Sequence, residues 1–253
     1  MPAQHSKATI VSMAVVATGL AVLFHEGLGH GVTALLRGDI PTELTSNHLS
    51  SLRPDRWVDA AGTFVNLVIG AIALTLAQIG GPRPHFRYFM WILAAHNLFA
   101  GAGYFMYSGI FGVGDWYQVI LGWPHQTAWR ISMTIFGAAL YLMIARLLAV
   151  EIRPFCSQPR TYNVVGRLPY LAGCLFSTVA GLFDPLGLKL LFVSTIPAAF
   201  GGTSGLLWLD SLMPRTPVEH ELVIRRSPAW WIFATLFAIA YIVLLGRGIR
   251  LGH

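Results

Sequence analysis

Phe24-His25-Glu26-Gly27-Leu28-Gly29-His30-Gly31 lies towards the end of an apolar run that begins near Ala8 and reaches about Leu36. A run of that length can cross a bilayer, which takes about 20 apolar residues as a helix. Two histidines and a glutamate inside such a segment are costly to bury. A bound cation offsets that cost, because neutral imidazole is the commonest protein ligand for transition metals. A glutamate directly after the first histidine is placed to act as general base towards an activated water. The stretch therefore marks His25 and His30 as metal ligands, Zn2+ as the expected ion and Glu26 as the catalytic base. The plainer alternative has both histidines satisfying polar groups between helices. A His-Glu pair with a second histidine is a constellation rather than a lone buried residue, which favours the metal.

The spacing is unusual. Histidines at i and i+4 stack on one helical face, whereas His25 and His30 are at i and i+5, roughly 140° apart on an ideal α-helix. A π-bulge absorbs the extra residue and realigns them, and such bulges are frequent at functional sites. Gly27, Gly29 and Gly31 ease that distortion. The form His-Glu-x-x-Gly-His resembles the lengthened motif of a soluble zinc dipeptidyl-peptidase family, where the inserted residue still permits metal binding. Only these six residues match, so that resemblance bears on geometry and not on fold.

The composition sets the class. Of 253 residues 55% are hydrophobic and only 11% are charged, against about 25% charged in soluble domains. The expected fold is an all-α, polytopic membrane helix bundle of six to seven transmembrane helices. It forms one integral-membrane domain over residues 1–253, with a metal-site core in 1–125 and additional helices in 126–253. Cys156 and Cys174 give neither a disulfide framework nor a metal-type spacing. The net charge of +6 reads as loop arginines against an anionic leaflet. The bilayer is thus a partner and nucleic acid is not. The first run is too long, and too polar at its end, for a cleaved signal peptide.

Spans are predicted at about Ala8–Leu36, Trp57–Ile79, Tyr88–Ser108, Ala128–Val150 and Ala229–Leu245. Residues 37–56 read as a polar, turn-rich connection, and Gly80-Gly81-Pro82-Arg83-Pro84 as a tight turn. Residues 109–124 are too short and glycine-broken for a span and read as re-entrant or interfacial. Residues 151–167 read as a basic loop. Leu168–Leu209, interrupted at Asp184-Pro185 and Gly201-Gly202, reads as two short spans or as one span followed by a broken one.

Catalytic zinc usually takes three protein ligands and keeps an open position, so a third donor is needed at the depth of the motif. His25 lies about 25 Å along the first span from its N-terminal side, in the half of the membrane near the opposite side. The third span runs the same way, and Asp115 follows its end in Gly112-Val113-Gly114-Asp115-Trp116. Asp59, His125 and Asp184 pass the same depth test, so on parity alone the third ligand stays open among the four. His96, nearer mid-span, reads as a packed histidine.

Three pieces together resemble the site-2 protease family of intramembrane zinc metalloproteases. One is His25-Glu26-Gly27-Leu28-Gly29-His30 with its continuation Gly31-Val32-Thr33-Ala34-Leu35-Leu36-Arg37-Gly38. Another is Ala61-Gly62-Thr63-Phe64-Val65-Asn66-Leu67, similar to the family's Gly-x-x-x-Asn-Leu segment beside the metal helix. The last is Asn97 followed by Gly114-Asp115-Trp116, where the family has an Asn and then an Asp-Gly supplying the final ligand. The resemblance covers about the first 120 residues. It implies zinc held by His25, His30 and Asp115, with Glu26 activating water for cleavage of a membrane-spanning or membrane-associated protein substrate. It also implies an integral membrane protein, here placed in a bacterial inner or plasma membrane. The alternative is an inactive relative that binds membrane partners. Two departures stand out: the motif carries an extra residue, and Trp116 follows Asp115 where the family has Gly.

Orientation is drawn two ways. Lys7, Arg83, Arg87, Arg153, Arg160 and Arg167 fall on the N-terminal side, which the positive-inside rule favours as cytoplasmic. The family's topology instead turns the metal side to the cytoplasm. Asp184 and Lys189 are expected to pair with each other in a packing role, the alternative being that they line a polar path to the site. Trp116-Tyr117 and Trp230-Trp231 are expected as interface anchors. Glu219, His220 and Glu221 are expected in a solvated loop with Arg225 and Arg226. A transporter reading would need acidic and His residues at several depths in paired repeats, and a di-iron lipid hydroxylase or desaturase would need several His clusters. The chain has no clear repeat and only one such cluster among nine histidines.

Overall fold

The computed structural model describes residues 4–218 and 220–251. Six helices are long and apolar enough to cross a membrane: α1 (Lys7–Leu36), α2 (Arg56–Ile79), α3 (Pro84–Phe111), α5 (Gln126–Phe155), α6 (Asn163–Gly181) and α8 (Pro228–Gly246). Between them lie the short helix α4 (Asp115–Ile120) and the shorter apolar helix α7 (Leu188–Gly202). The ambiguous region after Leu168 is therefore one span and a broken one. The expected basic loop 151–167 is largely wound, because α5 runs on to Phe155 and α6 starts at Asn163.

The order of hydropathy explains the layering. The 18-residue membrane-length stretch of α3 has a mean hydropathy of only 1.2 and is 72% buried, whereas that of α8 reaches 2.1 and is 22% buried. A helix walled by protein can carry His96 and Asn97, while one facing outward must be apolar all along. The core is built on α3, with Trp91, Ile92 and Phe99 packed among Met13, Ala17, Ile144 and Leu148. Its polar tips are satisfied: Trp91 Nε1 donates to Leu148 O at 3.0 Å and Tyr88 Oη to Val165 O at 2.8 Å. Outward faces carry stripes such as Phe64, Val68 and Ile72 on α2 and Ile232, Leu236 and Ile239 on α8. Apolar stripes of that extent are unstable in water and suit a lipid environment. The chain is compatible with a multi-pass membrane protein.

One departure from an all-helical chain is a small antiparallel sheet of β1 (Pro41–Leu44), β2 (Leu49–Ser51) and β3 (Ile249–Arg250), in the order β2-β1-β3. The expected loop after α1 is thus a hairpin. Asp39 anchors its base, accepting from the backbone N–H of Ile40 and Arg53. Asp55 caps α2 through Trp57 N at 2.8 Å and also binds Arg37.

The hairpin tip is tied to the far half of the chain. Asn47 Nδ2 donates to Asp184 Oδ2 at 2.9 Å, and Thr195 Oγ1 donates to Asn47 Oδ1 at 2.8 Å. Asp184 therefore does not pair with Lys189, which is exposed. The carboxylate turns inward to the hairpin and to Leu186 N, whereas Lys189 lies a helical start later on the outer face. Trp116 packs against Phe64 and Phe105. The loop expected to be solvated is so at His220, Arg225 and Arg226, which are exposed, while Glu221 is half-buried and accepts from Ser157 N at 3.0 Å. Glu219 lies outside the described residues.

Candidate metal centre

Residues Phe24–Gly31 are wound as π-helix between α-helical turns of α1. That winding absorbs the fifth residue of the His-to-His interval, and the two imidazoles converge. Their ring centroids are 4.7 Å apart at 83°. The distortion is held by close backbone packing. A β-carbon on Gly29 would lie 2.5 Å from Gly62 Cα on α2, so glycine at position 29 lets the helices meet there.

Hydrogen bonds fix which ring nitrogen faces the centre. Asn97 Nδ2 donates to Leu93 O at 2.8 Å, which leaves Asn97 Oδ1 to accept from Asn66 Nδ2, also at 2.8 Å. Asn66 then offers Oδ1 to His25 Nδ1 at 2.5 Å. An amide oxygen only accepts, so Nδ1 of His25 carries the proton. Nδ1 of His30 likewise donates, to Val58 O at 2.6 Å. In the neutral form that metal ligation requires, both rings keep a lone pair on Nε2. Those two atoms point at one carboxylate oxygen: Asp115 Oδ2 is 3.0 Å from His25 Nε2 and 3.4 Å from His30 Nε2.

Three acceptors converging in a buried place repel one another unless something positive lies among them. A cation with ligand bonds of about 2.0–2.2 Å in tetrahedral array has donor-to-donor edges of roughly 3.4 Å, close to the separations seen. The outer partners Asn66 and Val58 O are the kind that orient metal-ligating histidines. The donor set fits a borderline-soft divalent ion. Donor atoms of His25, Glu26 and His30 also lie within 4.8 Å of one another, so proximity alone allows either carboxylate as third ligand. Asp115 contacts both Nε2 atoms directly, while Glu26 makes no side-chain hydrogen bond among the described residues and faces open space. Of the two carboxylates, Asp115 is the one in direct contact with both rings.

The rivals separate. Asp59 lines the same cleft, but it forms no ion pair with either ring among the described residues. His125 starts α5 with a φ of 57° and is exposed. Asp184 is held by the hairpin tip. His96 is packed within α3, its Nδ1 donating to Ile92 O. Asp115 itself is brought in by Gly112 (φ 65°), which ends α3, and Gly114 (φ 82°), which turns the chain back before α4.

The site opens on a cleft of about 860 Å³. Glu26, His30 and Tyr104 line one wall, and Leu190, Val193 and Pro197 of α7 line the other. Nothing in the sequence marks Tyr104, whose ring stacks on His25 at 4.6 Å and 16°. Nor does it mark Asn47 and His48, which close one end of the cleft; only their place in a turn between polar strands could have pointed to them. Outside the spans, burial raises the Asp184 carboxyl, but hydrogen bonds from His48 and Asn47 outweigh it and hold the group at about 2. Burial lowers His48, yet the hydrogen bond and charge of Asp184 leave it raised overall.

No family model, curated protein or solved structure matches this chain.

Proposed function

We propose that this protein is an intramembrane zinc metalloendopeptidase, a divergent member of the site-2 protease family acting in a bacterial plasma membrane. The observation that carries the reading is the meeting of both Nε2 lone pairs with Asp115 Oδ2 beside the unbonded carboxylate of Glu26. His25, His30 and Asp115 would hold the ion. When bound, zinc supplies Lewis acidity towards water and a carbonyl oxygen. Glu26 takes the proton of the attacking water and passes it to the leaving amine, a role that needs a buried carboxylate with no competing partner. The cleft holds an unwound stretch of a membrane protein, because an intact helix hides its carbonyls. The lengthened motif fits this reading, since π-winding keeps both ligands on one side.

The test is metal analysis of purified protein beside Glu26→Gln and His30→Ala, with cleavage of membrane-spanning substrates in vesicles. Stoichiometric zinc in wild type and in Glu26→Gln, with proteolysis only in the former, is the expected result. Wild-type protein without zinc overturns the reading. Zinc with no cleavage of any substrate points instead to an inactive relative that binds membrane partners.

A further inference from the structure

Glu26 and Tyr104 line a second cavity besides the cleft. It encloses about 90 Å³ and runs into the bundle past Asn66 towards Thr18, His96, Ser177 and Thr203. Its lining surface is mostly apolar, but hydroxyl, amide and imidazole groups reach into it, which is unusual for the interior of an apolar bundle. Thr18 Oγ1 and Ser46 Oγ are buried there without a hydrogen-bond partner. His96 adds a third open valence. Its Nδ1 donates to Ile92 O at 2.9 Å, so Nε2 bears a lone pair with nothing donating to it. Two of these groups face one point. A β-carbon on Gly173 would lie 2.5 Å from Thr18 Oγ1 and 2.8 Å from His96 Nε2.

Buried polar groups are nearly always satisfied by protein or by ordered water. The cavity is too small for an organic ligand, and at about 30 Å³ per molecule it has room for about three waters. Hydroxyls that donate and accept, with an imidazole lone pair, are the partners water needs. We propose that this cavity is a water store serving Glu26. The inference rests on the hydrolase reading for its purpose. Each peptide bond cut consumes one water, whose hydroxyl goes to the carbonyl carbon and whose proton goes to the amine. A polypeptide filling the cleft excludes bulk water from the front. The store supplies the reacting molecule from within the bundle.

X-ray radiolytic labelling of the full chain in lipid nanodiscs reads bound water without requiring activity or metal. Corrected for intrinsic reactivity, His96 should oxidise several-fold faster than Tyr88 and Phe99, which are equally buried but remote from the cavity. Thr18→Val with Ser46→Ala should bring His96 down to their rate. Thr18→Val alone should lower it in part, and Thr18→Ser should keep it. Faster labelling of Tyr88 and Phe99 identifies a variant that has failed to fold, in which case the single substitutions decide. Wild-type His96 labelled no faster than the controls overturns the proposal, as does fast labelling that neither Thr18→Val nor the double variant changes. Absence of zinc or of proteolysis defeats the enzyme reading and leaves this measurement standing, so the two failures are distinct.

Discussion

A single methyl group at position 62 should empty the metal centre. The β-carbon of Gly62→Ala would lie 2.6 Å from Nε2 of His25 and 2.6 Å from Nε2 of His30. Non-bonded heavy atoms settle near about 3.5 Å, so both rings would have to retreat by about 1 Å. Ligand positions in a metal site hold within about 0.2 Å. The rings cannot pivot freely either, because Asn66 and Val58 O grip their other nitrogens. Loss of an outer partner alone costs 10–100-fold in affinity. Displacing two ligands should cost at least about 100-fold, or about 2.8 kcal/mol. Zinc affinity measured by chelator competition is the assay. Gly70→Ala is the control: on the same helix its β-carbon would meet Leu98 Cγ at 2.6 Å, away from the rings. It should lower thermal stability yet change zinc affinity by no more than about twofold. Gly62→Ala protein that binds zinc like wild type would refute the geometry argued for the centre.

Other substitutions divide the remaining roles. Glu26→Gln should retain zinc while hydrolysis falls by roughly 10²–10⁴-fold, as read by mass spectrometry of products; a variant that loses zinc instead makes Glu26 a ligand. Asp115→Ala should lose zinc and Asp59→Ala should keep it, and the reverse outcome would exchange their assignments. The tie between the hairpin tip and Asp184 should depend on pH. The lowered Asp184 contributes above its ordinary range and fails as pH falls towards 2, while the raised His48 contributes below its ordinary range and fails as pH rises through its raised value. Limited proteolysis at residues 45–48 should therefore be slowest between about pH 4 and 6.5, and Asp184→Asn should flatten the profile; a flat profile in wild type counts against the pairing.

Much of the span pattern could be read from apolar length alone, because the bilayer sets that length. The π-winding of Phe24–Gly31 could be anticipated from the fifth residue and its glycines, since both His side chains and the chain's path constrain one short segment. What could not be read were pairings set by distance in sequence. Asp184 next to Pro185 and five residues before Lys189 looks like half of a local ion pair. Its partner is Asn47, 137 residues away. Trp116 reads as an interface anchor by residue type, and its packing against Phe64 and Phe105 shows only in the structure. The hairpin was hidden because polar strands of three or four residues carry no alternation strong enough to separate them from a loop. Parity arguments left four candidates for the third ligand, since depth is one coordinate and the glycine turn before Asp115 supplies the other two.

The two walls of the cleft differ in how firmly they are built. The ligand wall is α1, α2 and α3, where Gly29 meets Gly62 in backbone contact and the Asn97–Asn66–His25 chain runs through buried groups. The facing wall is α7, wound in π-turns over Leu191–Thr195 and Pro197–Gly202, with only Leu191 and Thr195 fully buried. Segments with few buried contacts open at low cost. A β-carbon on Gly103 of α3 would already lie 3.3 Å from Gly202 Cα, so an extended polypeptide, whose backbone alone needs about 5 Å of spacing, cannot pass there with both walls at rest. If His25, His30 and Asp115 hold zinc as proposed, their geometry tolerates only tenths of an ångström, and the displacement falls on α7. The link from α7 to the sheet, Thr195 to Asn47, ties the hairpin to that wall. Rigidity at the metal and compliance opposite it follow from one difference, glycine contacts and buried amides on one side and sparse burial on the other.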